Sequence, residues 1–191
     1  MSYRDYFGIF AILVGLLGCF FASRERKHLP LVRLSLYICL SLILGYVDSC
    51  IPLFLPGLRL GLANVVVLIA LLDLGYGPSA AVSLSRVMLL SLLRGDFLGM
   101  GFFMSLFGAV ASYLIMAVLH AASNKLSPVF LSICGSLAHS LAQVGVACFY
   151  FSTASLLYFY LPLLALLGLL TGAFSGMLAG MVAKRIGKLR P

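Results

Sequence analysis

The chain has 191 residues, of which 63% are hydrophobic and 9% charged, with a net charge of +8 and a mean hydropathy of +1.16. A soluble domain carries roughly 25% charged residues, so this composition excludes a soluble globular protein and predicts an all-α integral membrane protein. The basic residues cluster at the ends of apolar runs rather than along a soluble face, which argues against nucleic acid as a partner and for the lipid bilayer.

The first apolar run, 6–23, is a lead segment. Within it "LLGC" resembles the box that precedes a lipid-modified cysteine, here Cys19, but cleavage there would leave the basic "RERKH" outside. An uncleaved anchor-like helix fits the charge pattern better, so residues 1–29 are expected to form an extra N-terminal transmembrane helix with a basic cytoplasmic connector. Residues 30–191 form the main domain, with helices expected at about 31–49, 60–75, 79–94, 97–121, 127–151 and 157–183. Pro30, Pro78 and Pro128 each stand near a helix start, where a missing backbone N–H is tolerated. The runs are of the length needed to cross about 30 Å of hydrocarbon. No polar segment is long enough for a separate catalytic unit.

Orientation follows from the basic residues. If all seven segments span, Arg24, Arg26, Lys27, Arg33, Lys125, Lys184, Arg185, Lys188 and Arg190 fall on one side, against Arg4, Arg59 and Arg94 on the other. The bias predicts a multi-pass protein of the cell membrane, N-terminus outside and C-terminus cytoplasmic.

The first helix of the domain carries small residues at Ser35 and Cys39, with Ser41 and Gly45 spaced likewise; the last carries Gly168, Gly172, Gly176 and Gly180 on one face. Such stripes let helices approach closely in lipid. The glycines are expected to pack inside the bundle, with contact to a partner subunit as the alternative. The five cysteines are scattered and read as small buried hydrophobes rather than metal or redox groups; no metal and no bound cofactor is expected.

Polar side chains at membrane depth are costly and usually face a cavity or partner. Counting about 1.5 Å per residue from the turn near Tyr76 puts Arg86 about 12 Å and Asn64 about 16 Å into consecutive helices. From Pro128, His139 lies about 16 Å and Gln143 about 22 Å along the fifth helix. Ser136, His139, Ser140 and Gln143 follow i, i+3, i+4, i+7 spacing and share one face. Together Arg86, Asn64, His139 and Gln143 predict a polar pocket open toward the outer half, with a structural network in which Asn64 and backbone carbonyls satisfy Arg86 as the alternative. Arg86 is the expected anchor for a carboxylate or phosphate, since no acid is expected beside it: Asp73 lies toward the cytoplasmic end, Asp48 and Asp96 near the outer surface. Arg59, in "PGLRLGLAN", is expected at the outer mouth, either attracting the ligand or snorkelling to the interface. Residues 50–58, stiffened by Pro52 and Pro56, are expected to form a lid over it. Tyr158, Phe159 and Tyr160 stand either to stack on a planar ligand or to join an interfacial aromatic belt.

The ordered set "PGLRLGLAN", "SRVMLLSLLRGD", "SLFGAVASYLIM", "SICGSLAHSLAQ" and "YLPLLALLGLLTGAFSGMLAG", across residues 31–183, resembles the Gx transporter family, also labelled heptaprenyl diphosphate synthase component I. That family is similar to the substrate-binding S components of energy-coupling factor (ECF) vitamin transporters. The resemblance implies a six-helix S-component-like bundle to which the lead helix is an addition, with a pocket on the outer side. It also implies a vitamin-like or cofactor-like solute, with flavins or quinone precursors as guesses from the family's associations. Where the family usually shows His-Asn before the glutamine of the fifth helix, this chain has His139 and Ser140, which implies one pocket amide fewer.

Prenyl diphosphate condensation needs carboxylates that hold Mg²⁺. The chain has only Asp5, Glu25, Asp48, Asp73 and Asp96, with no aspartate-rich pair, so it is not expected to be an enzyme, although an accessory role in isoprenoid or redox machinery stays open. No GxxxxGK[ST] occurs, so active transport would require ATPase subunits and an ECF transmembrane coupling subunit, the latter contacted through Ser35 and Cys39.

Overall fold

The computed structural model describes residues 29–50, 62–123, 126–152 and 155–188, all in or next to helices. Among the described residues there are six helices, α1 (Leu29–Cys50), α2 (Leu62–Leu74), α3 (Tyr76–Arg94), α4 (Met100–Ala122), α5 (Pro128–Phe151) and α6 (Ser155–Lys188). The lead segment with Cys19, the 51–58 part of the lid, and Arg59 lie outside the described residues, as do the side chains of Tyr158, Phe159 and Tyr160.

Helix ends follow local chemistry. Ser127 caps α5, its Oγ accepting from Phe130 N at 3.2 Å, and Pro128 fills the first helical position. Gly95 ends α3 in the left-handed conformation at φ 67°, and Leu98 also has positive φ, so α4 begins at Met100 rather than at the expected residue 97. Pro78 lies inside the first turn of α3, where its absent N–H has no intrahelical acceptor to lose. α6 accommodates Pro162 and runs five residues beyond the expected 183.

Among the described residues five helices are long and apolar enough to cross a membrane: 31–49 of α1, the whole of α3, α4 and α5, and 161–185 of α6. α2 differs. Its 13 residues rise only about 20 Å, and Ala63 to Leu71 are buried without a break. It is apolar all round because it is enclosed all round, chiefly by α1, α3 and α6. Conversely, large apolar side chains face outward on the surrounding helices, among them Leu36 on α1, Val118 on α4 and Leu170 on α6. That is the surface lipid covers.

The core fills the end of the bundle near the α2–α3 turn, where Leu68, Leu71, Val82, Met116, Leu131 and Ala179 pack together. The same end is tied by polar contacts. Tyr37 donates to Asp73 Oδ2 at 3.1 Å, Tyr113 donates to the Tyr76 carbonyl at 2.6 Å, and Tyr76 Oη meets His120 Nδ1 at 3.0 Å.

α5 and α6 form the closest pair. All four stripe glycines of α6 face α5: a Cβ on Gly176 would stand 2.5 Å from Val129 Cα, and one on Gly172 would be 3.0 Å from Ile133 Cα. Serines stitch the resulting seam, with Ser132 and Ser175 Oγ 2.7 Å apart and Ser136 donating to the Gly168 carbonyl at 2.6 Å. Ser35 and Cys39 are half-buried on α1, Ser35 bonding back to the Leu31 carbonyl, whereas Ser41 and Gly45 turn inward.

Candidate functional site

At the end of the bundle opposite this core, α1 to α5 surround a polar cavity. Its centre is a consequence of hairpin geometry. Asn64 and Arg86 are each eleven residues from Gly75, the turn between α2 and α3 (75 − 64 = 86 − 75), so the antiparallel pair brings them level. Arg86 is 7% exposed and both Nη1 and Nη2 donate to Asn64 Oδ1, each at 3.4 Å. A guanidinium has five N–H donors, and bonds of this length are weaker than the usual 2.7–3.2 Å. Asn64 therefore orients Arg86 without saturating it.

Asp48 joins the same wall, which corrects the expectation that Arg86 has no acid beside it. Only 4% exposed, Asp48 lies in electrostatic reach of the guanidinium. Gly45 lies where α1 and α3 approach: a Cβ there would meet Arg86 Cδ at 3.7 Å and Leu90 Cδ2 at 3.4 Å, ordinary contact, so only a side chain larger than alanine's would hold α1 away from α3. Asp48 follows one turn later on the same face.

The remaining charged groups are Arg94, at the end of α3, and Asp96, in the turn that follows. The Asp96 carboxylate is seated against Gly99 and Gly101, where any side chain would collide with it. There it faces the first turn of α4, the positive end of the helix dipole. Ser91 and Ser105 add hydroxyls, and Phe102 contributes an apolar face. Among the described residues the charged lining is thus Arg86 and Arg94 against Asp48 and Asp96.

His139 enters from α5 at mid-helix. Its ring packs on Gly108 of α4, where an added Cβ would lie 2.7 Å from Cε1 and 2.8 Å from Nδ1, so the missing side chain at 108 is what admits the imidazole. The polar face predicted on α5 is divided between two neighbours. Ser136 and Ser140 turn to the α6 backbone, Ser140 reaching the Leu164 carbonyl at 3.4 Å, while His139 turns to α4 and the cavity. Gln143, 3% exposed, is buried a turn further on and does not line the cavity.

Asn64, Arg86 and His139 are therefore brought together, and Gln143 is set apart. Asp48, Arg94, Asp96, Ser91 and Ser105 are additions that helical spacing did not single out. The cavity measures about 40 Å³, room for about three waters at the 10–15 Å³ each requires. Small-molecule pockets run to roughly 300–1,000 Å³, so a larger solute requires the walls to separate.

No curated protein and no solved structure matches the chain. The family described as heptaprenyl diphosphate synthase component I matches residues 37–182, which includes every described lining residue of the cavity. With that match over most of its length, and with helices suited to crossing a membrane, the chain belongs to the heptaprenyl diphosphate synthase component I family, which also carries the Gx transporter label.

Proposed function

We propose that this chain is the membrane-embedded substrate-binding subunit of an ECF-type transporter for a small vitamin-like or cofactor-like solute. The observation that carries the proposal is the buried Arg86, oriented by Asn64 and faced by His139 across a cavity at one end of the bundle. Placing a guanidinium in this setting is costly even with Asn64 and Asp48 beside it, and those two neighbours leave part of its donor capacity open. It is explained by a solute that bonds to it.

The Lys and Arg bias puts the cavity end outside and the C-terminus in the cytoplasm. Flavins and quinone precursors are the first solutes to test. The chain acts by binding rather than catalysis, and energy comes from separate ATPase subunits through a coupling subunit that meets α1 beside the half-buried Ser35 and Cys39. The family description supports a second reading, a non-catalytic membrane accessory of prenyl diphosphate synthesis.

Mass spectrometry of small molecules released from protein purified in mild detergent separates the two. A solute present in the wild type and missing from folded Arg86→Ala supports the binding subunit. Copurification of a soluble synthase with an empty cavity supports the accessory.

A further inference from the structure

We infer that the solute is zwitterionic, with an anionic group that binds Arg86 and Asn64 and a cationic group that binds Asp48. The inference rests on the binding reading above and names the substrate class of that same cavity. Two observations carry it. Arg86 and Asp48 are 7% and 4% exposed, so neither charge is left to bulk water. Arg94, at the end of α3, and Asp96, in the turn that follows, line the same cavity and bring a second cation and anion to it.

Such a wall discriminates by charge in both directions. A simple anion approaching Arg86 also meets the Asp48 carboxylate, and a simple cation approaching Asp48 meets the guanidinium. In a cavity of low dielectric neither repulsion is screened as it is in water. A solute with both charges meets an opposite charge at each group and leaves the net charge of the described lining unchanged. Selectivity then comes from the repulsive half of each contact as much as from the attractive half. Gly45 lies one turn before Asp48 where α1 meets the stem of Arg86, with room there for no side chain larger than alanine's.

The cavity's small size suits small probes. The experiment measures thermal stabilisation of the detergent-solubilised full chain by ω-amino acids from glycine to 6-aminohexanoate, beside the matched fatty acids and alkylamines. Wild type, Asp48→Asn and Arg86→Gln are compared, each first shown to unfold cooperatively without probe. At least one ω-amino acid is expected to stabilise the wild type at a concentration tenfold or more below its matched acid and amine. Asp48→Asn is expected to lose that advantage by improving the fatty acid, and Arg86→Gln by improving the amine. Equal stabilisation by acid and ω-amino acid, or stabilisation by a flavin with none by any ω-amino acid, overturns the zwitterion and leaves the binding subunit standing. No stabilisation by any probe or flavin overturns both.

Discussion

The α5–α6 seam gives a sharp test, because two glycines four residues apart on one stripe call for opposite outcomes. A Cβ at Gly176 would lie 2.5 Å from Val129 Cα and 3.0 Å from both the Pro128 carbonyl oxygen and Ser132 Cβ. Two of these are backbone atoms that no rotamer change can remove, so Gly176→Ala must push the helices apart by about 1 Å to restore ordinary contact. Overpacking of this kind costs about 1–3 kcal/mol. The same movement strains the 2.7 Å Ser132–Ser175 bond beside it, adding up to about 1 kcal/mol. Alanine's better helix propensity returns about 1 kcal/mol, leaving a net destabilisation of up to about 3 kcal/mol, with the middle of the range at about 1.5 kcal/mol. At Gly180 the nearest atoms are Pro128 Cβ and Cγ at 3.7 Å, so Gly180→Ala keeps only the propensity gain. The chain has no tryptophan and five cysteines, so unfolding in detergent is best followed with a thiol-reactive fluorogenic dye; Cys134 and Cys148 are partly buried reporters in α5. At about 2–4 °C per kcal/mol for a chain of this size, Gly176→Ala should melt several degrees below the wild type and Gly180→Ala at or slightly above it. Equal melting of all three would refute the internal packing of the stripe.

Gly108→Ala should displace the His139 ring, which can move where a backbone cannot; bound solute should weaken up to about tenfold, the worth of one hydrogen bond, with little change in melting, as measured by titration of the copurified solute. At the opposite end, Tyr37→Phe removes the donor to the buried Asp73 carboxylate and should cost about 1.5–3 kcal/mol. Arg33→Ala, whose side chain is 46% exposed and 3.9 Å from Asp73, should cost under about 1 kcal/mol in the same melting assay. Orientation is checked by single cysteines in a cysteine-free background: exposed Ser152→Cys should react with an impermeant maleimide in intact cells and exposed Ser127→Cys only after lysis, and the reverse result would invert the topology.

Much of this was written in the sequence. Composition and run length dictate a helical membrane protein, because unpaired backbone groups cannot be left in hydrocarbon. The meeting of Arg86 with Asn64 was also legible, since residues at similar distances from a tight helical turn come level whatever surrounds them. What spacing cannot determine is which neighbour a helix face will meet. Ser136, His139, Ser140 and Gln143 share a face of α5, yet that face lies between α4 and α6 and its groups part company: the serines to α6, the imidazole to the cavity through the gap at Gly108. Asp48 looked like a residue of the outer surface because depth was counted along one helix at a time. Close approach of α1 to α3 at Gly45 buries it in reach of Arg86 and sets a carboxylate in a wall that helical spacing had made cationic. Helical periodicity is a property of one chain segment and survives in the sequence, whereas the charge that Arg86 feels depends on contacts between segments, which only the packed bundle decides.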